Sequence, residues 1–320
     1  MAIKQPYPQD MRDALDVFCR KAQNLVVKWV KTLSEPAPLI YHHTNDVGLR
    51  GILETGQLWL TDIFKLNDPS EVYYGFSRAV DILKIKVASG PPECIRFADG
   101  LIAFVERNEI EKLGHYLICS FSSCGDDLGQ WRAYGDDGRG YALGFDAEVL
   151  GDEYTSCGAQ LENTESFPIT YNDAELDRML GRIIDLMLPL VSSPVGKHLD
   201  KISCLAYLAD LCTWLTVYAL RFSLFFKHYA YENEQEYRFL EFYGANMVPA
   251  NVKLRGRPYS LIRYREFDWR RVGDKALREI VMGPAADRKK SSQFAKDCLR
   301  LSNARNVRII FSAIPYRTVR

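Results

Sequence analysis

No sign of charge predominates in this chain: 41 lysines and arginines stand against 41 aspartates and glutamates in 320 residues. A basic footprint for nucleic acid is therefore absent at the level of the whole chain, with a local patch left open. Cysteine is present but unorganised. The eight cysteines, at 19, 94, 119, 124, 157, 204, 212 and 298, include no C-x-x-C and no metal-type pairing. In a chain of this size that predicts reduced, mostly buried thiols and a cytoplasmic protein. There is no H-E-x-x-H, no G-x-S-x-G and no P-loop, so zincin, α/β-hydrolase and P-loop chemistry have no support and no metal is expected. Gly140-Tyr141-Ala142-Leu143-Gly144 makes no dinucleotide fingerprint, because no helical pattern follows it. The first ten residues lack the apolar core of a signal peptide, and neither internal repeats nor low-complexity tracts occur. The one long apolar run, Ile202 to Leu220, carries Asp210 at mid-span between Lys201 and Arg221. An aspartate there is costly in lipid, so a buried helix is expected and no membrane partner.

What is present is an ordinary globular composition, with hydrophobic residues at 47%, enough for one large domain or two small ones. Met11, Leu15, Phe18, Leu25, Val26, Trp29 and Val30 recur at helical spacing and predict an amphipathic helix over 10–33. Ser34-Glu35-Pro36-Ala37-Pro38 ends it. Strands are expected at Leu39–His42, Leu58–Leu60 and Tyr116–Ser122, and later at Ile280–Met282 and Val307–Ser312. Asp46 is the expected N-cap of a helix ending at Thr55, with Gly56 as its stop. Asp68, Pro69 and Glu71 read as a capping box opening a further helix. Asp137-Gly138 reads as a hairpin turn between Trp131–Tyr134 and Gly140–Phe145. Helical periodicity fills Ala174–Leu190 and His198–His228, and a last helix covers Ser291–Leu301. Strands and helices intermix without regular β–α alternation, so the expected class is α+β. The expected division is an N-terminal helix and linker over 1–38, then a single domain over 39–320 with a helical insertion at about 174–228.

The chemistry is expected in Tyr231–Phe242. Read as a strand, it carries Glu234, Glu236 and Arg238 on one face and Gln235, Tyr237 and Phe239 on the other. Two carboxylates so close repel unless they share a cation, and Arg238 is placed to be one. The plain alternative is a solvated charge ladder. His42 and His43 are consecutive, so on a strand only one faces a given side. Ser120 and Ser122 share a face of their strand. Taken singly, these are ordinary structural residues.

As a set they resemble a bacterial family. Tyr41-His42-His43-Thr44, Asn67-Asp68-Pro69-Ser70-Glu71, Cys119-Ser120-Phe121-Ser122, Trp131-Arg132-Ala133-Tyr134, Glu234-Gln235-Glu236-Tyr237-Arg238 and Ile314-Pro315-Tyr316-Arg317 follow the order of motifs in domain of unknown function family 2971. The resemblance covers about Leu39 to Arg317. That family looks like a distant relative of the ADP-ribosyltransferases, which bind NAD in a cleft between two small sheets. The resemblance implies a split mixed sheet with a large helical insertion and NAD as substrate. It implies transfer of ADP-ribose to a macromolecule or to water, in a toxin or phage-defence setting. It gives His42 with Thr44, and Ser120 with Ser122, to NAD binding, Glu236 to the nicotinamide ribose and Glu234 to the acceptor. His43 replaces the aromatic residue usual between histidine and threonine, which leaves open the imidazole that faces the cleft. Arg238 either pairs with the NAD diphosphate or neutralises Glu236. Trp131 and Tyr134 are candidates to stack on a base or nicotinamide, or else core aromatics. A non-catalytic nucleotide-sensing or partner-binding module is the alternative function, and a nucleic-acid-binding role is a third that neutral charge argues against.

Overall fold

Apolar side chains three and four residues apart decide where the helices lie, and which face of a sheet they cover. In the computed structural model, residues 7–33, 37–66, 70–106, 110–158, 164–192, 199–244, 251–302 and 304–316 are described. The order begins α1 (Gln9–Val30), β1 (Leu39–Thr44), α2 (Asp46–Thr55), β2 (Gln57–Asp62), α3 (Ser70–Val87) and α4 (Pro92–Glu106). It continues with β3 (Gly114–Ser122), α5 (Leu128–Ala133), β4 (Tyr141–Asp146), α6 (Ala147–Gly158), β5 (Thr164–Pro168), α7 (Asp173–Val191) and α8 (Lys201–Ser223). It closes with β6 (Glu236–Gly244), β7 (Lys253–Arg257), β8 (Ser260–Asp268), β9 (Leu277–Met282), α9 (Arg288–Ser302) and β10 (Arg308–Phe311). The class is α+β.

Among the described residues two large apolar clusters sandwich one mixed sheet, and a small third one gathers Trp131, Ala142 and Val281. On one face Met11, Phe18 and Trp29 of α1, with α3, α4, α7 and α8, bury Tyr116, Ile118 and Leu240 of the sheet. Trp29 meets Phe222, Phe225 and Phe226 at ring separations of 5.9, 5.1 and 5.0 Å. On the other face α2, α6 and α9 cover Leu117, Cys119, Phe121 and Phe239. Among the described residues α8 is the one helix long and apolar enough to cross a membrane. It packs on α3 and α7 within the helical layer, and its Asp210 accepts a hydrogen bond from the Tyr7 hydroxyl at 2.6 Å.

The sheet branches at β3. Along one edge β3 pairs with β6 over its whole length, from Gly114↔Gly244 to Ser122↔Glu236. Along the other edge it meets β1 at Tyr41↔Ser122 and β2 at Thr61↔Ile118 and Asp62↔Leu117. β1 leads on to β4, β9 and β10, while β2 leads to β8 and β7. A gap therefore opens beside Ser120, where β1 and β2 diverge.

Four local expectations need correcting. A helix does follow Gly140–Gly144: α6 begins at Ala147, directly after β4. The cap of α2 is Asn45, whose side chain accepts from Gly48 N, with Asp46 the first helical residue; Gly56 ends the helix at φ 72°. Trp131–Tyr134 is not a strand. Asp127 accepts from Gln130 N at 2.9 Å and starts α5, so the Asp136–Gly138 turn joins a helix to β4 rather than closing a hairpin. Tyr231–Phe242 is not one strand either. His228 caps a short 3-10 helix over Tyr229–Glu234, and Gln235 turns left-handed at φ 42°, so β6 begins only at Glu236. The helix breaker at Ser34–Pro36, the Asn67–Pro69 part of the expected capping box and the closing Arg317 lie outside the described residues.

Candidate functional site

Residues opposite one another on neighbouring strands share a face, and so do residues two apart on one strand. Ser122 opposes Glu236 and Ser120 opposes Arg238. Thr61 opposes Ile118, two residues before Ser120. Thr61 also opposes Tyr264, while Ile262 opposes Arg255 and Ser260 opposes Arg257. Register alone thus turns Glu236, Arg238, both serines, Trp59, Thr61, Arg255 and Arg257 to one side of the sheet. They line a cleft of about 350 Å³ at the branch, closed in by Tyr134 and Tyr231. That volume lies within the range of small-molecule sites.

The acid at its centre is held by two cations. Glu236 is 6% exposed and Arg238 2%. Arg238 donates from Nε to Glu236 Oε1 at 2.5 Å and from Nη2 to Oε2 at 2.9 Å, while its Nη1 bonds the Leu224 carbonyl at 3.2 Å. Lys227 Nζ lies 3.4 Å from Glu236 Oε2 and 2.5 Å from Glu234 Oε2. The Glu236 amide donates to the Tyr171 hydroxyl at 2.9 Å. Burial pushes the Glu236 carboxyl up, but the adjacent Arg238 and Lys227 charges outweigh it and hold the acid well below its ordinary range. Glu236 is an anion at neutral pH. Glu234 reaches the same cluster from the 3-10 helix instead of from the strand. Arg238 is committed to Glu236 and the Leu224 carbonyl, which removes it as partner of a ligand diphosphate.

Both imidazoles border the cleft, by different routes. His42 lies in the gap between the diverging strands, with Nδ1 3.1 Å from the Ser120 carbonyl. Burial lowers its pKa, so the ring is neutral. His43 follows the parity of Ser122 and packs edge-on against Trp131 at 4.8 Å. Burial and the nearby His42 take it down to about 3. Ser120 is exposed in the cleft, whereas Ser122 is buried and its hydroxyl accepts from Cys124 N at 3.1 Å. Three expected ligand residues fare differently. Thr44 is not part of the lining; its hydroxyl packs against α2 at Gly48, where a side chain would collide with it. Trp131 is fully buried and donates to Asp126 at 2.8 Å, so it is a core aromatic, and the helix that replaced the expected strand is the reason. Tyr134, one turn on, is 45% exposed and borders the cleft.

The sequence reading missed Lys227, Trp59, Arg255 and Arg257. Arg255 and Arg257 alternate at period two in Lys253–Arg257, a signal of a charged strand face. Lys227 has no comparable signature, since the turn after α8 brings it to the acids. Among the described residues no group of three His, Cys, Asp or Glu side chains is arranged to hold a metal.

No curated protein and no solved structure matches the chain. A family model described as protein of unknown function (DUF2971) matches residues 130–239. The match takes in Trp131, Tyr134, Lys227, Glu234, Glu236 and Arg238, and over that span it supports the resemblance to the unknown-function family.

Proposed function

We propose that the protein is ADP-ribosyltransferase-like, binding NAD in the branch-point cleft and breaking the bond between nicotinamide and ribose. ADP-ribose then passes to a macromolecule or to water. One observation carries the reading: an ionised, buried Glu236 stands at the branch of the mixed sheet, opposite Ser122 of β3, with neutral histidines on β1 beyond it. Cleavage of an N-glycosidic bond passes through an oxocarbenium-like sugar, and a fixed anion beside it favours that state over the ground state. In this reading Glu236 faces the nicotinamide ribose and Arg238 positions its carboxylate. Lys227 holds Glu234 within reach of an acceptor, whose proton Glu234 removes. His42 and Ser120 bind the nicotinamide end.

A second reading draws support from the same cluster. Glu236 is clamped at both oxygens, and an anion already neutralised by two cations stabilises a developing positive charge less. That favours a module which binds a nucleotide without turning it over. Incubation with labelled NAD, alone and with cell lysate, separates the two. Nicotinamide release or label transfer that falls by roughly two to four orders of magnitude in Glu236→Gln supports catalysis. Calorimetric binding of NAD or ADP-ribose without product supports the sensing module. Absence of both binding and product removes the proposal.

A further inference from the structure

The acids of the cleft are balanced, but one of its cations is not. Glu234 and Glu236 meet Lys227 and Arg238. Across the cleft, Arg255 lies on β7 at the end of the sheet. Among the described residues no carboxylate pairs with it. Its Nη2 reaches Thr61 Oγ1 at 3.3 Å, while its Nε is shut off from solvent with no acceptor. The guanidinium lies over the Trp59 ring at 5.3 Å, and Trp59 is backed by Tyr264 at 4.5 Å. Stacking of this kind fixes the plane of a guanidinium and leaves its N–H edges for an in-plane anion. Arg257 follows two residues on and borders the same cleft, donating to the Lys65 carbonyl at 3.0 Å. Two arginines side by side repel each other, and partial desolvation of Arg255 adds to the cost. Both costs fall if an anion sits between them.

We propose that Arg255 and Arg257, with Arg255 oriented by Trp59, form a phosphate-binding subsite of the cleft, taking a diphosphate or phosphodiester group. This rests on the nucleotide reading for the ligand as a whole but not for the subsite itself. The planar forks suit two phosphate oxygens at once. The subsite also supplies the anion contact that Arg238, spent on Glu236, cannot make.

Calorimetry with three probes tests it: inorganic pyrophosphate, ADP-ribose and a short oligoribonucleotide. The wild type is compared with Arg255→Gln, Arg257→Gln and, as a distant cation, Arg300→Gln, with circular dichroism checking that each variant is folded. The expected result is a loss of roughly ten- to a hundred-fold in pyrophosphate and ADP-ribose affinity in the first two variants and none in the third. Arg255→Lys, which keeps the charge without the fork, should fall between. ADP-ribose binding that is unchanged in Arg255→Gln overturns the subsite while leaving the nucleotide reading intact. Pyrophosphate binding that depends on Arg255, without any binding of ADP-ribose, keeps the subsite and removes that reading. Oligonucleotide binding that exceeds ADP-ribose binding and depends on Arg255 supports the subsite and assigns its phosphate to a nucleic acid. Failure of all three probes to bind the wild type overturns both.

Discussion

Replacing Arg238 by methionine is the sharpest test of the buried charge cluster. The substitution keeps most of the side-chain volume and removes both hydrogen bonds to Glu236, at 2.5 and 2.9 Å, together with the donor to the Leu224 carbonyl. Glu236, at 6% exposure, is then left with Lys227 at 3.4 Å, a cation already shared with Glu234. Two acids and two cations become two acids and one cation, with Glu236 and Lys227 at only 6% and 5% exposure. Breaking a buried pair by removing one partner costs about 3–5 kcal/mol, whereas apolar replacement of both partners is often nearly neutral. With Lys227 able to move toward Glu236, the lower end applies, about 3 kcal/mol. The double variant Glu236→Leu/Arg238→Met, which leaves Lys227 with Glu234, should recover most of that loss. Urea denaturation followed by circular dichroism gives the cycle, with a coupling of about 2 kcal/mol expected. A single-variant cost below about 1 kcal/mol, the range of solvated surface pairs, would refute the claim that Glu236 and Arg238 act as a buried pair. Acid makes the same point with the sign fixed in advance. Because the folded acid lies below its ordinary value, its contribution is complete above about pH 4.5. It disappears as pH falls through the folded pKa. Glu236→Gln should abolish that part of the acid sensitivity.

His43 titrates in the opposite sense. Its pKa is depressed to about 3 from 6.5, so below pH 6.5 the unfolded chain takes up a proton that the fold refuses. Stability should fall by up to about 1.4 kcal/mol per pH unit on acidification through that window, and His43→Phe should flatten the slope between pH 6 and 5; equal slopes would argue against a neutral buried ring. Trp131→Phe should cost about 1–3 kcal/mol in thermal or urea unfolding while leaving ADP-ribose affinity unchanged. Tyr134→Ala should do the reverse, because one ring is sealed in the core and the other borders the cleft. At Gly140 a Cβ would stand 2.1 Å from the Thr44 carbonyl oxygen and 2.9 Å from that of Gly135. Both are backbone atoms that cannot swing aside, so Gly140→Ala should lower stability by at least about 3 kcal/mol, and a normal melting temperature would contradict that packing.

Elements with an unbroken apolar period were legible in advance. α1, α7 and α9 lie close to their expected spans, and β1, β3, β4 and β9 follow runs of apolar residues. Where one side chain decides between two conformations, the reading failed. Asp137-Gly138 reads as a hairpin turn and so puts Trp131–Tyr134 in a strand, yet the cap from Asp127 starts a helix over Leu128–Ala133. Glu234 and Glu236 keep strand spacing in the sequence, but the left-handed Gln235 breaks the alternation between them. β7 and β8 escaped notice because Lys253, Arg255 and Arg257 occupy the face where an apolar period would have been sought. An end strand needs no apolar partner on that side, and charge there discourages pairing with another chain.

The site shows why a whole-chain charge balance is a poor guide to the ligand. Net zero is a sum over the entire surface, while a ligand meets the local potential within about one screening length. Inside the cleft the acids are held in a four-membered network with Lys227 and Arg238, and Arg255 on the opposite wall has no carboxylate among the described residues. The local balance is therefore positive even though the sequence is neutral. On the nucleotide reading proposed above, such a cleft would take an anion at the Arg255 wall, while the paired Glu236 on the other wall would face the rest of the ligand. Under that proposal a dinucleotide would meet both walls, since its diphosphate and its cationic nicotinamide ring lie at different points along one molecule. A simple phosphate would meet only the first. Affinity for pyrophosphate should accordingly fall with added salt as screening weakens the attraction of the arginines. An affinity for NAD no greater than that for pyrophosphate would show that Glu236 contributes nothing to recognition.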